Sequence, residues 1–157
     1  MCDIPTEVHD DEPIVRAICS PHHIKGGKLK ISAFKPPKGS KEVSVMRHTY
    51  FSANCCKSKG QSLSRSDMEP PKQYVGLAVV AALKVRAFGA DVKDSRNIFM
   101  GHADIVYLQP APNGEPLSPE AMLDFNRCLK GICNDARYFP DPDPASAEWE
   151  GPLLTAT

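Results

Sequence analysis

Short apolar or alternating segments, separated by glycine and proline, fill the first half of the chain and recur in the second half. Alternation of hydrophobic and polar positions is typical of a strand that buries one face, and a short apolar run is consistent with a buried strand. Pairs such as Gly26-Gly27 and Pro36-Pro37 interrupt the pattern and predict turns. The segments predicted to be strands are 14–19, 29–34, 43–47 and 102–108.

The most apolar segment, residues 74–87, reads YVGLAVVAALKVRA. Its β-branched residues favour a strand, whereas the Ala-Ala-Leu run favours a helix. We predict a long strand or a bulged pair of strands here, because Val85 and Arg86 resume the alternation. The polar segment 52–72 leaves a short helix and a long loop open as alternatives.

One helix is predicted near the C-terminal end of the chain. Ser118 can cap it, Pro119 suits the first helical position, and Glu120 suits the positive end of the helix dipole. An apolar stripe at spacings of three and four extends the helix to about 135–137. The stripe consists of Met122, Phe125, Leu129, Ile132 and Ala136. Five to six short strands and one long C-terminal helix predict an α+β fold, with the helix packed on a largely antiparallel sheet.

The length of 157 residues suits a single domain. We expect an acidic flexible arm over residues 1–12, the α+β domain over 13–140, and an acidic, proline-rich tail over 141–157. Trp149 is the one large apolar side chain that could dock this tail on the domain. The longest apolar stretch, 75–83, is about half the length of a membrane span. The N-terminus lacks the basic and apolar regions of a signal peptide, so a cytoplasmic protein with no membrane partner is predicted.

The net charge of zero conceals a segregation along the chain. Residues 1–12 hold five acids and no base, and residues 13–72 hold twelve bases and three acids. Residues 101–157 then hold three bases and nine acids. A basic segment of this kind points to nucleic acid or a nucleotide as partner. The alternative is that the basic segment is merely solvated and that the acidic ends fold back over it.

The first candidate site is the turn that carries His22 and His23. It lies after a predicted strand, where binding and catalytic residues concentrate. Lys25 and Lys28 flank Gly26-Gly27, and backbone N–H groups around glycine can hold an anion. An imidazole there could act as a general acid or base. The alternative is a polar turn that faces solvent.

The second candidate site is formed by His102 and Asp104. Two residues apart in a strand, they project from the same face, and the carboxylate could orient the imidazole. Arg96, in the preceding loop, could bind a phosphate or a carboxylate. The alternative is structural, with Asp94 and Asp104 pairing with Arg96 and Arg86 to hold a loop.

Arg47 is the third candidate, because a base inside a strand is costly unless it is paired or at a rim. We predict it to bind ligand together with Lys25, Lys28 and Arg96. Aromatic residues that could stack on bases are few in this region, which argues against an RRM or OB-type platform.

The six cysteines should be reduced thiols in a protein that is not exported. Cys19, His22, Cys55 and Cys56 could supply ligands to zinc, but the paired spacing typical of zinc sites is missing, so no metal is predicted. The sequence contains no Walker loop, GxGxxG, HExxH or GxSxG motif, and it identifies no cofactor.

Three functions follow from these patterns. The leading hypothesis is a small domain that binds a phosphate-bearing ligand, nucleic acid or nucleotide, through a basic face built from residues 13–72. The alternative is a transferase or nuclease that acts on nucleotides or nucleic acid with a His/Arg/Asp site. A second alternative is a non-catalytic adaptor that docks on a protein partner.

Overall fold

A computed structural model describes residues 3–157. In these residues, eight strands and three α-helices follow one another along the chain, with a short 3-10 helix at Ile31–Phe34. The strands are β1 Pro13–Ser20, β2 Ile24–Lys25, β3 Lys28–Leu29, β4 Glu42–Arg47, β5 Gln73–Ala81, β6 Asp91–Asp94, β7 His102–Val106 and β8 Arg137–Pro140. The helices are α1 Ala53–Gln61, α2 Ala82–Ala87 and α3 Pro119–Asp135.

Six of the strands form one antiparallel sheet in the order β6-β7-β4-β1-β5-β8. The remaining two, β2 and β3, form a small hairpin that follows β1. The predicted α+β fold, with a long helix packed on an antiparallel sheet, is therefore confirmed.

Helix α3 covers one face of the sheet. Ser118 caps it by accepting a hydrogen bond from the N–H of Ala121, as the sequence predicts. Phe125, Leu129 and Ile132 are buried in the larger of two apolar cores, together with apolar residues of β1, β4, β5 and β7. The stripe read from the sequence is thus the face that anchors this helix.

Helix α1 and the C-terminal tail cover part of the opposite face. A second core lies there, built from Val15, Tyr74, Leu77 and Phe139 with Cys56 of the helix. These elements lie over β1, β5 and β8, so the same face of the sheet stays more open over β4, β7 and β6. Exposed or half-exposed polar side chains line that open part: Glu42, Ser44, Lys93 and Asp104.

Two local predictions need correction. In the segment 29–34 only Leu29 belongs to a strand, the end of β3, because the chain forms a 3-10 helix at Ile31–Phe34 that buries Ala33 and Phe34. The strand predicted over 74–87 ends at Ala81, and residues 82–87 form α2. The N–H groups of Ala82 and Leu83 donate to the carbonyl oxygens of Glu12 and Asp10, so a contact with the N-terminal segment accompanies the change from strand to helix.

Both acidic ends of the chain are bonded to the body of the protein. In the segment predicted as a flexible arm, Val8 is buried and Asp10 pairs with Arg86; residues 1–2 of that segment lie outside the described residues. In the tail, Leu154 is buried, and the N–H of Trp149 donates to Asn54 of α1 over 2.7 Å. None of the helices found in residues 3–157 has the length and apolar character needed to cross a membrane.

Candidate functional site

His23 forms part of the turn that ends β1. Its Nδ1 accepts a hydrogen bond from the N–H of Cys19 over 3.0 Å, and the ring is buried. Burial, together with the nearby charges of Arg16 and Lys72, lowers the pKa of His23 to about 3. The ring is therefore uncharged at neutral pH and uses its lone pair internally, which gives it a structural role in the turn.

His22 is half-buried beside it. Its carbonyl oxygen accepts the hydroxyl proton of Ser32, while its Nδ1 is buried with no hydrogen-bond partner in the described part of the chain. The β2–β3 hairpin follows at once, and Gly26 and Gly27 both adopt a positive φ at its tip. Residues other than glycine rarely adopt this conformation, so the two glycines allow the tight turn.

Lys25 and Lys28 face each other across this hairpin. They belong to a segment, residues 25–41, that contains six lysines and no acid. All six lysines are exposed, and within residues 3–157 none of them forms an ion pair. The segment is held in place by Ala33 and Phe34, which are buried in the larger core. We call these six side chains the lysine surface: Lys25, Lys28, Lys30, Lys35, Lys38 and Lys41.

Arg47 lies in a different environment. Its side chain is 0% exposed and forms ion pairs with Glu12 and Asp94, each over 2.8 Å. It also donates to the carbonyl oxygens of Pro5 and Glu7 in the N-terminal segment. With these internal partners, the guanidinium holds the N-terminal segment on the sheet and presents no surface to a ligand.

Arg96 extends the same network. Its Nε donates to Asp94 over 2.7 Å, and its Nη2 donates to the carbonyl oxygen of Ile4 over 2.8 Å. Although burial alone would raise it, hydrogen bonds from Arg96 and Arg47 hold the pKa of Asp94 below its usual value. The pair of Asp94 with Arg96 is one half of the structural alternative for this loop. The other half is not found in residues 3–157, because Arg86 pairs with Asp10 and Asp91 and not with Asp104.

His102 and Asp104 share one face of β7, because they lie two residues apart in the strand. Their partners on β4 are Met46 and Ser44. Asp104 accepts the hydroxyl proton of Ser95 over 2.8 Å. Burial lowers the pKa of His102, although the charge of Asp104 opposes that shift. The two residues lie near each other as predicted, but the hydrogen bond found for the carboxylate is to Ser95 and not to the ring.

The two histidine clusters are too far apart to form one site. His102 pairs with Met46, and Met46 pairs with Val15 of β1, so His102 lies level with Val15. His23 is bonded to Cys19, further along the same strand. At about 3.3 Å per residue the offset is about 13 Å along β1, in addition to two strand spacings of about 4.8 Å each. A proton-transfer site needs its groups within hydrogen-bond reach, so this separation gives the enzyme hypothesis no shared centre.

A cleft that the sequence reasoning missed lies beside His102. It has a volume of about 220 Å³ and is bounded by the C-terminal end of α1 and by residues 98–99. Its polar lining includes Arg16 and Lys59, and its apolar lining includes Leu63 and Phe99. A signal was present, because Arg16 interrupts the apolar run of β1 just as Arg47 does at the end of β4.

The cysteines lie mostly in the two cores. Cys19, Cys56, Cys128 and Cys133 are buried and Cys55 is exposed, while Cys2 lies outside the described residues. Burial raises the pKa of Cys56 to about 12, which keeps this thiol protonated. In the part of the chain that the structure describes, three or more metal-binding side chains do not come together.

Comparison with known proteins adds no identity to this geometry. The chain matches no protein-family model, and no curated protein and no solved structure matches it significantly. The class of the protein therefore rests on its fold, a six-stranded antiparallel α+β domain that carries a lysine-rich surface segment.

Proposed function

We propose that the protein binds a phosphate-bearing ligand, and specifically the backbone of a nucleic acid, through the lysine surface. The observation that carries this proposal is the set of six exposed, unpaired lysines within residues 25–41. Clustered lysines without neighbouring acids create a local positive potential, and such a potential attracts polyanions even when the net charge is zero.

The location of the acids strengthens this proposal. Asp10 and Glu12 pair with Arg86 and Arg47, and Asp141 pairs with Lys57. These acids of the two chain ends thus neutralise bases outside the lysine surface.

A polymer suits the lysine surface better than a single nucleotide does. The lysines extend along a hairpin, a 3-10 helix and a loop, so they match a run of phosphates along a strand. Lysine ammonium groups act as point charges and read no base, and the one aromatic residue of the segment 25–41, Phe34, is buried and cannot stack on a base. Binding should therefore depend strongly on salt and little on sequence.

The test is fluorescence anisotropy with labelled single-stranded RNA and DNA oligomers over a series of KCl concentrations. The variant Lys25→Gln/Lys28→Gln removes two lysine charges and their contacts with phosphates. It should reduce the slope of log K against log salt by about 1.4 for single strands. The matched control is Lys84→Gln/Lys93→Gln, which removes two exposed lysines from α2 and β6. The control should keep the slope of the unmodified protein.

Two results would refute the proposal. One is no binding to any oligomer at low salt, and the other is an equal reduction of the salt slope in the control variant. Competition with ATP separates the two phosphate-bearing ligands. If ATP displaced the oligomer at concentrations near the oligomer's own Kd, the ligand would be a nucleotide and not the nucleic-acid backbone.

A further inference from the structure

The central sheet opens between β1 and β4. The two strands pair only at Ile14 with Arg47 and at Val15 with Met46, although β1 continues to Ser20. From Arg16 onwards the main chains no longer bond to each other across this junction. The opening gives a side chain of β1 a position between two strands.

Arg16 occupies this position. Its Nε donates to the carbonyl oxygen of Ala33 over 2.9 Å, and its Nη1 donates to that of Ser44 over 3.1 Å. A guanidinium has five N–H donors, so after these two bonds it still has N–H groups that can donate to a further acceptor. Within residues 3–157 no carboxylate pairs with Arg16. Arg16 is half-buried. A guanidinium that is partly withdrawn from water and lacks a carboxylate is an unusual arrangement, because buried charges are normally paired.

Arg16 lines the cleft beside His102, and Lys59 lines it too. The Nζ of Lys59 lies 4.2 Å from the centre of the Phe99 ring, and no acid of the described residues pairs with it. His102 is 5% exposed, and its ring packs edge-to-face with the Phe99 ring, with the centroids 4.9 Å apart. Its Nδ1 is buried without a hydrogen-bond partner in residues 3–157. The cleft therefore contains two cations and an imidazole with an unsatisfied nitrogen, but no acid in its lining.

The remaining wall is apolar and accessible. Leu63 is 36% exposed and Ile98 is 62% exposed, and both line the cleft with Phe99. Side chains of this kind at the mouth of a cationic cleft can accept an apolar group, which gains by leaving water. The volume of about 220 Å³ lies below the range of roughly 300–1,000 Å³ for drug-sized ligands, so the occupant must be small.

We propose that this cleft binds a small monocarboxylic acid with an apolar body, such as an aromatic carboxylate. The carboxylate lies between Arg16 and Lys59, because the planar guanidinium fork matches its two oxygens. The apolar body lies against Leu63, Ile98 and Phe99. An apolar wall disfavours a phosphate dianion, whose removal from water costs more than that of a carboxylate.

This inference goes beyond the proposed nucleic-acid function, because the cleft and the lysine surface share no residue. Loss of either activity leaves the other intact, so each can fail separately. A variant that lacks Lys25 and Lys28 should still bind the carboxylate.

The experiment is an NMR titration of the full-length ¹⁵N-labelled protein with benzoate, with neutral benzamide and with inorganic phosphate. Benzoate should shift the backbone amide signals of Lys59, Leu63, Ile98 and Phe99 in a saturable manner, with a Kd on the order of 1 mM for so small a probe. Benzamide should bind about tenfold more weakly, because it lacks the charge. Phosphate should leave these four signals unshifted.

Lys59→Gln should weaken benzoate binding by about five- to tenfold and leave the weak benzamide binding unchanged. The control Lys84→Gln should bind benzoate like the unmodified protein. Arg16→Lys tests the guanidinium fork, but Arg16 also joins β1 to Ser44, so Lys59→Gln keeps the test valid if that variant unfolds. The proposal is overturned if benzoate gives no saturable shifts, if benzamide or phosphate binds equally well, or if Lys59→Gln has no effect.

Discussion

Lys57 and Asp141 form an ion pair in which both side chains are 0% exposed, with Nζ 3.1 Å from Oδ2. The ammonium group also donates to the carbonyl oxygens of Asp143 and Glu148, over 2.7 and 2.8 Å. The carboxylate accepts the Tyr74 hydroxyl proton over 2.7 Å as well. A lysine of α1 thus organises the C-terminal tail around its charged end.

Replacing Lys57 by methionine should lower the free energy of unfolding by about 3–5 kcal/mol, because Asp141 would remain buried without its cation. The measurement is urea-induced unfolding followed by the fluorescence of Trp149. The exposed control Lys93→Met should change the stability by less than about 0.5 kcal/mol.

The double variant Lys57→Met/Asp141→Asn should recover part of that loss, since it removes both buried charges. An equal effect of Lys57→Met and Lys93→Met would contradict the buried ion pair.

The pairing of Arg47 with Glu12 predicts a second loss of stability. Glu12→Gln keeps the shape of the side chain but removes the charge that accepts from Nε and Nη2 of Arg47, each over 2.8 Å. We expect a cost of about 1–3 kcal/mol and faster proteolysis within residues 3–12. Limited proteolysis with endoproteinase Asp-N, which cleaves before Asp10 and Asp11, measures the cleavage by mass spectrometry. The control is Glu7→Gln, at an exposed side chain. Unchanged cleavage in Glu12→Gln would count against this anchoring role.

The buried ring of His23 predicts a pH dependence of stability. Its pKa in the folded protein is about 3, below the ordinary value of about 6.5 in the unfolded chain. The unfolded state therefore takes up the proton first, so the stabilisation is present above about pH 6.5 and is lost as the pH falls towards 3. One such group contributes a slope of up to about 1.4 kcal/mol per pH unit.

His23→Asn should reduce this slope, because the amide oxygen can accept the Cys19 N–H but does not titrate. The lowered pKa of His102 leaves a smaller slope of the same sign. Urea unfolding at several pH values between about 7.5 and 5 avoids the titration of carboxylates. The control is His9→Asn, which replaces an exposed histidine and should keep the slope. If His23→Asn and the unmodified protein lost stability in parallel, the buried ring would not be the cause.

The cysteines of α1 predict a difference in reactivity between neighbours. Cys55 is exposed, whereas Cys56 is buried and its pKa is raised to about 12. Because the thiolate is the reactive form, iodoacetamide should modify Cys55 well before Cys56 in the native protein. Peptide mapping by mass spectrometry distinguishes the two sites, and denaturation in urea should make their rates similar. Early modification of Cys56 in the native protein would show that α1 does not pack as described.

The fold was predictable where its signals are local. Helix α3 combines a cap, a proline at its first position and an apolar stripe, all of which lie within its own residues. The end of β5 at Ala81 was not predictable, because the next two N–H groups, of Ala82 and Leu83, donate to the carbonyl oxygens of Glu12 and Asp10, which are distant in sequence. Strand β8 was missed since it has only four residues, one of them Pro140. Short edge strands depend on their neighbour more than on their own sequence.

The candidate site was predictable only in part. The excess of basic residues in the 13–72 region is read directly from the sequence, but these residues lie in different environments. Arg47 and Lys57 are fully buried, whereas the six lysines of the lysine surface are exposed. Charge counts carry no information on burial, because long basic side chains are assumed to face water. The proximity of His102 and Asp104 followed from strand geometry, whereas the cleft depends on where β1 and β4 separate.

The bonds between Lys57 and the C-terminal tail also affect the order in which the domain can fold during synthesis. Its acceptors Asp141 and Glu148 follow it by 84 and 91 residues. A ribosome that adds about 5–20 residues per second would release Lys57 several seconds before its last partner. During that interval the ammonium group stays in water, because a buried charge without a partner is too costly. The face of the sheet under α1 should therefore close only after Glu148 has emerged from the ribosome, which leaves this face of the nascent domain open until then.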